Sequence, residues 1–233
     1  MKEIDLPNPG VILFDFDGTL VNTTPLILRS FRATWQKVFG FEMEDADYIK
    51  TFGTLLHTAL KQLTEQCVAE GRIRPVEDLT AKADELLATY REFNWQWHDE
   101  VIEAFAGIDE AVRELKARDY RLGIVSSKLR FGVERGLNIF AMAELFDVII
   151  TADDVTNHKP HPEPLLKALR GFDASPREAI YIGDSTHDII AGKAAEVTTA
   201  AAAWGPFPRT ELEELKPDYL LNEPSELLKI LTR

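Results

Sequence analysis

Apolar positions along the chain fall into two kinds of run. Val11–Phe14, Leu122–Val125, Val148–Ile150, Ala179–Ile182 and Val197–Ala201 are short, nearly unbroken and closed by polar residues or glycine. That is the pattern of strands buried on both faces. Between most of them apolar positions recur about every 3.6 residues, as over Ile108–Arg118 and Glu163–Arg170, which predicts amphipathic helices. Strands alternating with helices predict an α/β chain built on a parallel sheet with helices on both faces.

One interval departs from the alternation. From Thr23 to His98 the pattern is helical and yields no strand. Pro25–Phe39 carries Leu26, Ser30, Ala33 and Lys37 along one side, and Leu55–Ala69 and Leu79–Trp97 follow, separated by Gly71 and Pro75. A connection that long inside a compact domain is a domain of its own. The expected organisation is a core of residues 1–20 and 103–233 and an all-helical cap, residues 21–102, inserted after the first strand. Hinges are expected near Gly18–Thr23 and His98–Gly107.

Charge narrows the choice of partner. The 233 residues include 26 basic and 39 acidic ones, a formal net charge of -13. Such a surface repels a phosphate backbone, so nucleic acid is not an expected partner. It repels a small phosphate as well, so metal cations or a local cluster of Lys and Arg must offset the field wherever such a substrate binds. Cys67 is the sole cysteine, which allows no internal disulfide and suits a reducing compartment. Met1–Gly10 has no apolar run behind a basic start, and Val11–Phe14 is too short to cross a bilayer. No signal peptide or membrane span is expected, and the chain is expected in the cytoplasm.

Four segments carry candidate chemistry. In Val11-Ile12-Leu13-Phe14-Asp15-Phe16-Asp17-Gly18-Thr19-Leu20 a buried strand delivers Asp15 at its C-terminal end, where open α/β sheets bind ligands. Gly18 permits a sharp turn that aims main-chain N–H groups, its own and that of Thr19, inward. Asp15 and Asp17 repel each other, so one holds a proton or a cation lies between them. Either outcome suits nucleophilic attack by one and acid/base work by the other, although an Asp-Gly turn after a strand is also common. In Gly123-Ile124-Val125-Ser126-Ser127-Lys128 a strand ends in hydroxyl residues and a cation. Ser126 can donate to a phosphoryl oxygen and Lys128 can hold another anionic group; alternatively, Ser126 caps a helix opening near Arg130.

In His158-Lys159-Pro160-His161-Pro162-Glu163-Pro164 prolines stiffen the loop around Lys159, with Pro164 in the first turn of a helix. Lys159 is either a fixed neutraliser of transferred charge or a surface lysine. His158 and His161 lack a third histidine at ligand spacing and are read as loop or rim residues. In Ile182-Gly183-Asp184-Ser185-Thr186-His187-Asp188-Ile189 Asp184 and Asp188 follow a strand, and such carboxylates can ligate a hard cation. As the simpler alternative, Asp184 caps the helix and Asp188 answers its dipole.

Taken in order, each at a strand end, these four segments resemble the motifs of the haloacid dehalogenase-like hydrolases. The resemblance covers nearly the whole chain and implies a Rossmann-like core with an inserted helical cap. It implies Asp15 as nucleophile, Asp17 as acid/base, Ser126 as the phosphate-binding hydroxyl, Lys159 as the fixed cation, and Asp184 and Asp188 as the acidic pair. More narrowly the chain looks like the phosphoglycolate phosphatase group and its pyrophosphatase relatives. Tyr90-Arg91-Glu92-Phe93-Asn94, Leu122–Lys128 and Asp153–Leu165 lean toward the pyrophosphatase branch. Ser126 stands where threonine is more usual, and Glu196 where glycine often follows Ala194-Ala195; a left-handed Glu196 costs about 1–2 kcal/mol.

The combined expectation is a Mg2+-dependent phosphohydrolase working through an aspartyl-phosphate on Asp15. Its metal ligands are Asp15, Asp17 (through its carbonyl), Asp184 and Asp188. Its substrate contacts are Gly18, Thr19, Ser127, Lys128 and, from the cap, Arg91. The expected substrate is small and anionic, inorganic pyrophosphate ahead of phosphoglycolate. A dehalogenase needs neither Asp17 nor a metal; a sugar phosphomutase or an inactive binding module would use the same core. Arg91, Asn94 and His98 share one face of the last cap helix, which faces the site or solvent. Arg72 and Arg74 read as surface charges, and Trp35, Trp95, Trp97 and Trp204 as packing residues.

Overall fold

A computed structural model describes residues 10–231; the expectations for Met1–Pro9 and for the last two core residues lie outside that range. In chain order the elements are β1 (Val11–Phe14), β2 (Val21–Asn22), α1 (Thr24–Phe39), α2 (Asp45–Ile49), α3 (Leu56–Ala69), α4 (Leu79–Val101), β3 (Glu103–Ala104), α5 (Ile108–Ala117), β4 (Arg121–Val125), α6 (Arg130–Ile139), β5 (Val148–Ile150), α7 (Glu163–Phe172), β6 (Ala179–Gly183), α8 (Thr186–Ala194), β7 (Thr198–Ala202), α9 (Arg209–Glu214), β8 (Tyr219–Leu221) and α10 (Leu227–Ile230). The chain divides into two compact units. One runs to Asn22 and resumes at Glu103; the other is Thr23–Ile102.

The first unit is organised by a six-stranded parallel sheet in the order β5-β4-β1-β6-β7-β8. From β1 the chain steps outward through β4 to β5, then returns across β1 to β6 and continues to β7 and β8. Right-handed crossovers in opposite directions put helices on opposite faces, with the switch between β1 and β6. Val11, Leu13 and Tyr181 pack with Leu165, Leu169 and Phe172 of α7 and Ala191 of α8 in one buried cluster. Ile12 and Phe14 point the other way, as strand alternation requires, and Phe14 meets Phe146 edge to face at 6.2 Å. Gly123 lets α7 close on the sheet: a Cβ there would lie 2.8 Å from the Phe172 ring and 2.9 Å from Leu13.

Three short strands escape the apolar pattern. β8 has three residues at the sheet edge, only the last of them buried. β2 pairs antiparallel with β3, Val21 opposite Ala104 and Asn22 opposite Glu103. This ribbon belongs to the first unit, so the helical unit opens at Thr23 rather than at residue 21.

The helical unit consists of α1–α4 around its own aromatic core. Phe31 stacks on Tyr48 at 5.0 Å and meets Tyr90 edge-on at 4.9 Å, with Trp35, Leu60, Leu63 and Leu86 buried around them. The expected α1 stripe is corrected: Leu26 and Ser30 are buried, but the face continues through Phe31, Thr34 and Trp35. Lys37 lies outside it and pairs with Glu92 at 2.8 Å. The aromatic residues outweigh the small polar ones in choosing the buried side. Trp95 is 52% exposed, so it does not pack in a core; the partly buried Trp97 carries Arg29 over its ring at 4.0 Å. Arg72 is not a bare surface charge, for it donates to the Glu42 carbonyl and stacks on Phe41. Among the described residues no helix is long and apolar enough to cross a membrane.

Candidate active site

Asp15 and Asp184 leave the C-terminal ends of β1 and β6, the two strands that flank the switch in topology. Asp188 lies one turn into α8. Ser185, not Asp184, caps that helix, in a capping box with Asp188 at its third position. Carboxylate oxygens of Asp15, Asp184 and Asp188 lie within 4.8 Å of one another, all buried. Lys159 is equally buried: its Nζ lies 2.6 Å from Asp188 Oδ1 and 3.0 Å from Asp15 Oδ1. This settles Lys159 as an interior cation rather than a surface lysine.

Asp188 is fully committed. Its Oδ1 accepts from Lys159 and from the Tyr181 hydroxyl at 2.7 Å, and its Oδ2 accepts from the Ser185 N–H at 3.0 Å and hydroxyl at 2.5 Å. Asp184 Oδ1 accepts from Thr19 Oγ1 at 3.0 Å. Asp15 Oδ1 sits beside Lys159 but off the line a hydrogen bond requires, so this buried oxygen has no donor among the described residues. Three carboxylates against one ammonium leave two excess negative charges if all ionise, a count that one divalent cation neutralises. Gly18 adds room: with φ +82°, a Cβ on it would fall 2.4 Å from Asp184 Oδ2. The unsatisfied oxygen, the excess charge and the all-oxygen donor set fit a hard metal ion held by Asp15 and Asp184.

The electrostatics follow from burial. Desolvation, opposed by Lys159 and reinforced by Asp188 and Asp17, pushes the Asp15 carboxyl up to about 7 in the metal-free protein. Burial and the neighbouring charges of Asp188 and Asp15 raise Asp184 well above the usual carboxylate range. Burial works the same way on Asp188, but the Lys159 ammonium and the hydrogen bonds from Ser185 and Tyr181 outweigh it and hold Asp188 low. Burial also opposes the charge on Lys159, and the adjacent Asp15 and Asp188 overcome it, leaving its ammonium harder to deprotonate than usual.

Asp17 stands apart from the acidic trio. Its oxygens are held by Lys128 Nζ at 2.9 and 3.2 Å, and its side chain is 24% exposed. Ser126 is buried and its hydroxyl accepts from the Lys128 N–H at 3.3 Å. It does not cap a helix: Leu129 precedes α6, and Asp153 takes the Arg130 N–H at 2.6 Å. Ser127 is half-buried beside it. Pro164 lies in the first turn of α7; His158 is half-buried and His161 exposed, its Nδ1 accepting from the Glu163 N–H.

In the helical unit Arg91 is half-buried on α4. Asn94 and His98 are buried there, Asn94 donating to Ser30 Oγ and Tyr90 Oη; the solvated-stripe reading is thus corrected for both. Sequence reasoning passed over Tyr181, whose hydroxyl joins Lys159 at 3.1 Å, Asp188 and the Val125 carbonyl at 3.0 Å. It reads as one more apolar strand residue. Ser185 was legible as the start of a Ser-x-x-Asp capping box. Trp204 donates to the Thr19 carbonyl at 3.0 Å, a link across 185 positions that no local pattern reveals.

An open parallel sheet with two carboxylates at its switch point, a third one turn into a helix and a buried lysine between them defines a class of hydrolase. The profile of the haloacid dehalogenase-like hydrolases matches residues 12–202, and the chain belongs to that family. It is 42% identical over 223 residues to pyrophosphatase PpaX of Bacillus cereus (strain B4264), an alignment covering 96% of each chain. Two solved structures share the fold at 28% identity. A Bacteroides fragilis protein, inferred to be a haloacid dehalogenase-like hydrolase, has a TM-score of 0.84, covering 94% of this chain and 99% of its own. A Lactobacillus plantarum protein, inferred to be a phosphoglycolate phosphatase, has a TM-score of 0.81, covering 97% of this chain and 100% of its own. The protein is an enzyme of the phosphohydrolase class and acts on a small phosphate compound.

Proposed function

We propose that this enzyme hydrolyses inorganic pyrophosphate with magnesium, passing the phosphoryl group through Asp15. The observation that carries the reading is the donorless Asp15 oxygen beside Asp184 and Lys159 in a buried group short of positive charge. Asp15, Asp184 and the main-chain carbonyl of Asp17 are the proposed ligands; Asp188 acts through Lys159, since its oxygens are already taken. Bound there, Mg2+ supplies the positive charge that lets an anionic phosphoryl group approach the carboxylates.

An Asp15 oxygen attacks phosphorus, and the bond to the leaving oxygen breaks with its electron pair on that oxygen. Asp17 gives the leaving oxygen a proton. Water then loses a proton to Asp17 and attacks phosphorus, breaking the bond to Asp15 and releasing orthophosphate. Ser126, Ser127, Lys159 and the N–H groups of Gly18 and Thr19 hold the phosphoryl oxygens, where transition-state charge spreads. The second phosphate of pyrophosphate is assigned to Lys128; Arg91 of α4 is proposed separately as a substrate contact. A cytoplasmic setting suits the buried free thiol of Cys67, and the charge of -13 argues against nucleic acid.

Phosphoglycolate is the second reading, favoured by the name of the Lactobacillus plantarum structure; the 42% identical relative is named a pyrophosphatase. Measuring kcat/KM for both substrates in the wild type and in Arg91→Ala tests the order. The wild type is expected to prefer pyrophosphate, and Arg91→Ala to lose about tenfold or more on it. A clear preference for phosphoglycolate, or no effect of Arg91→Ala, would overturn the substrate assignment.

A further inference from the structure

A carboxylate is loosely held about its last torsion, where no staggered well fixes it. One that ligates a metal therefore depends on its neighbours for direction. Asp184 takes its direction from Thr19, whose Oγ1 donates to Asp184 Oδ1 at 3.0 Å. Thr19 is wholly buried in the turn after β1, and its main chain is gripped in turn. The indole N–H of Trp204 donates to the Thr19 carbonyl at 3.0 Å, and that N–H is the only hydrogen-bonding group of the ring. One chain of hydrogen bonds thus runs from Trp204 through Thr19 to Asp184.

The segment that delivers the indole is itself anchored. β7 pairs with β6 as far as Gly183 opposite Ala201, so the residues that follow β7 emerge beside Asp184. The Ala203 N–H donates to the Leu221 carbonyl at 2.8 Å, and the Gly205 N–H closes a turn onto the Ala202 carbonyl at 3.2 Å. Phe207 and Leu212 are buried just beyond. Thr19 holds Oδ1 of Asp184, and Gly205 abuts the rest of the group: a Cβ on Gly205 would lie 2.8 Å from both Asp184 Cγ and Oδ2. Any side chain at position 205 would push the carboxylate or the loop aside.

We propose that Trp204 is a positioning residue for Asp184, acting through Thr19, and that together with Gly205 it sets the affinity of the site for a divalent cation. The inference rests on the metal assignment above and extends it to a loop that supplies no ligand of its own. Its signature is coupling: the indole matters to the metal only while the Thr19 hydroxyl is there to be positioned.

The test reads Mg2+ affinity without substrate, from the rise in melting temperature with Mg2+ concentration. The proteins are the wild type, Trp204→Phe, Thr19→Val, Thr19→Ser, Gly205→Ala and the double variant Trp204→Phe/Thr19→Val. Trp204→Phe keeps an aromatic ring and loses the donor, and it should raise the Mg2+ dissociation constant about tenfold. Thr19→Val should raise it at least as much, whereas Thr19→Ser, which keeps the hydroxyl, should stay near the wild type. In the double variant, loss of the indole should add less than about twofold to the effect of Thr19→Val. Gly205→Ala should weaken Mg2+ about tenfold with the indole still in place. A residue that served packing alone would lower the melting temperature in chelator and leave the constant where it was. An unchanged constant in Trp204→Phe or in Gly205→Ala, or losses that multiply in the double variant, would overturn the clamp and leave the metal assignment standing. A wild type that Mg2+ does not stabilise would remove both.

Discussion

At the scale of residues the site is a problem in buried charge. In the proposed mechanism Asp15 attacks as an anion, yet burial pushes its carboxyl up to about 7 in the metal-free protein, from a normal 3.8. The folded chain therefore holds a proton that the unfolded chain has released by about pH 5. Metal-free stability should fall as pH climbs from about 4 to about 7, and Asp15→Asn, with no charge at this position to bury, should escape the share of that fall due to Asp15. In chelator the variant is expected to melt about 5 °C above the wild type at pH 8, the gap closing toward pH 5. Thermal denaturation of the two proteins across that window checks the sign; a gap that widens toward low pH would contradict it.

Asp17→Asn isolates the other carboxylate. It should slow alkyl phosphates by about 100-fold or more and activated aryl phosphates much less, since a good leaving group needs no proton. Equal impairment on both would remove the general-acid role. Among the acidic trio, Asp184→Ala should raise the Mg2+ concentration for half-activity more than Asp188→Ala, whose first effect is to remove one of the two carboxylates paired with Lys159. The reverse order would exchange their roles.

At the scale of elements the helix ends carry the argument. α8 closes in a Schellman arrangement, with Val197 N–H on the Gly192 carbonyl and Glu196 N–H on that of Lys193. Glu196 takes the left-handed position, φ 59°, so the cost attached to a left-handed residue at this place, where the family it resembles often has glycine, applies. Glu196→Gly should raise stability by about 0.5–1 kcal/mol, relieved strain exceeding added unfolded-state entropy, with kcat/KM unchanged. A lower melting temperature would contradict this. Five strands of the sheet were legible because each reads as a short apolar run, and β1, β4, β6 and β7 are buried almost throughout. The β2–β3 ribbon was not, since Val-Asn and Glu-Ala form no apolar run, nor was β8, a three-residue strand at the sheet edge. Asp15, Asp17, Asp184 and Asp188 were legible as candidates because each sits just after a strand end or in the first turn of a helix, and Lys159 because prolines stiffen the loop that leads into α7. Tyr181 and Trp204 were not, because their polar contacts join segments that only the folded sheet brings together.

At the scale of the whole molecule, a chain of charge -13 gathers three of its carboxylates at a single buried point. Such a point is stable only with counter-charge, and Lys159 supplies one unit of it. The metal should therefore stabilise the fold as well as activate it: Mg2+ at a hundred times its dissociation constant contributes about 2.7 kcal/mol. The shift in melting temperature should shrink in Asp184→Ala, and an equal shift in that variant would place the ion elsewhere.

The central claim is that phosphoryl transfer passes through Asp15. Its most direct test is orthophosphate release from inorganic pyrophosphate by the wild type and by Asp15→Asn, each shown to be folded, with Mg2+ and with chelator. The wild type should turn over only with the metal, and Asp15→Asn should lose at least about a thousandfold with Mg2+ and stay inactive in chelator. Pyrophosphate hydrolysis that survives in folded Asp15→Asn would contradict covalent catalysis at this residue.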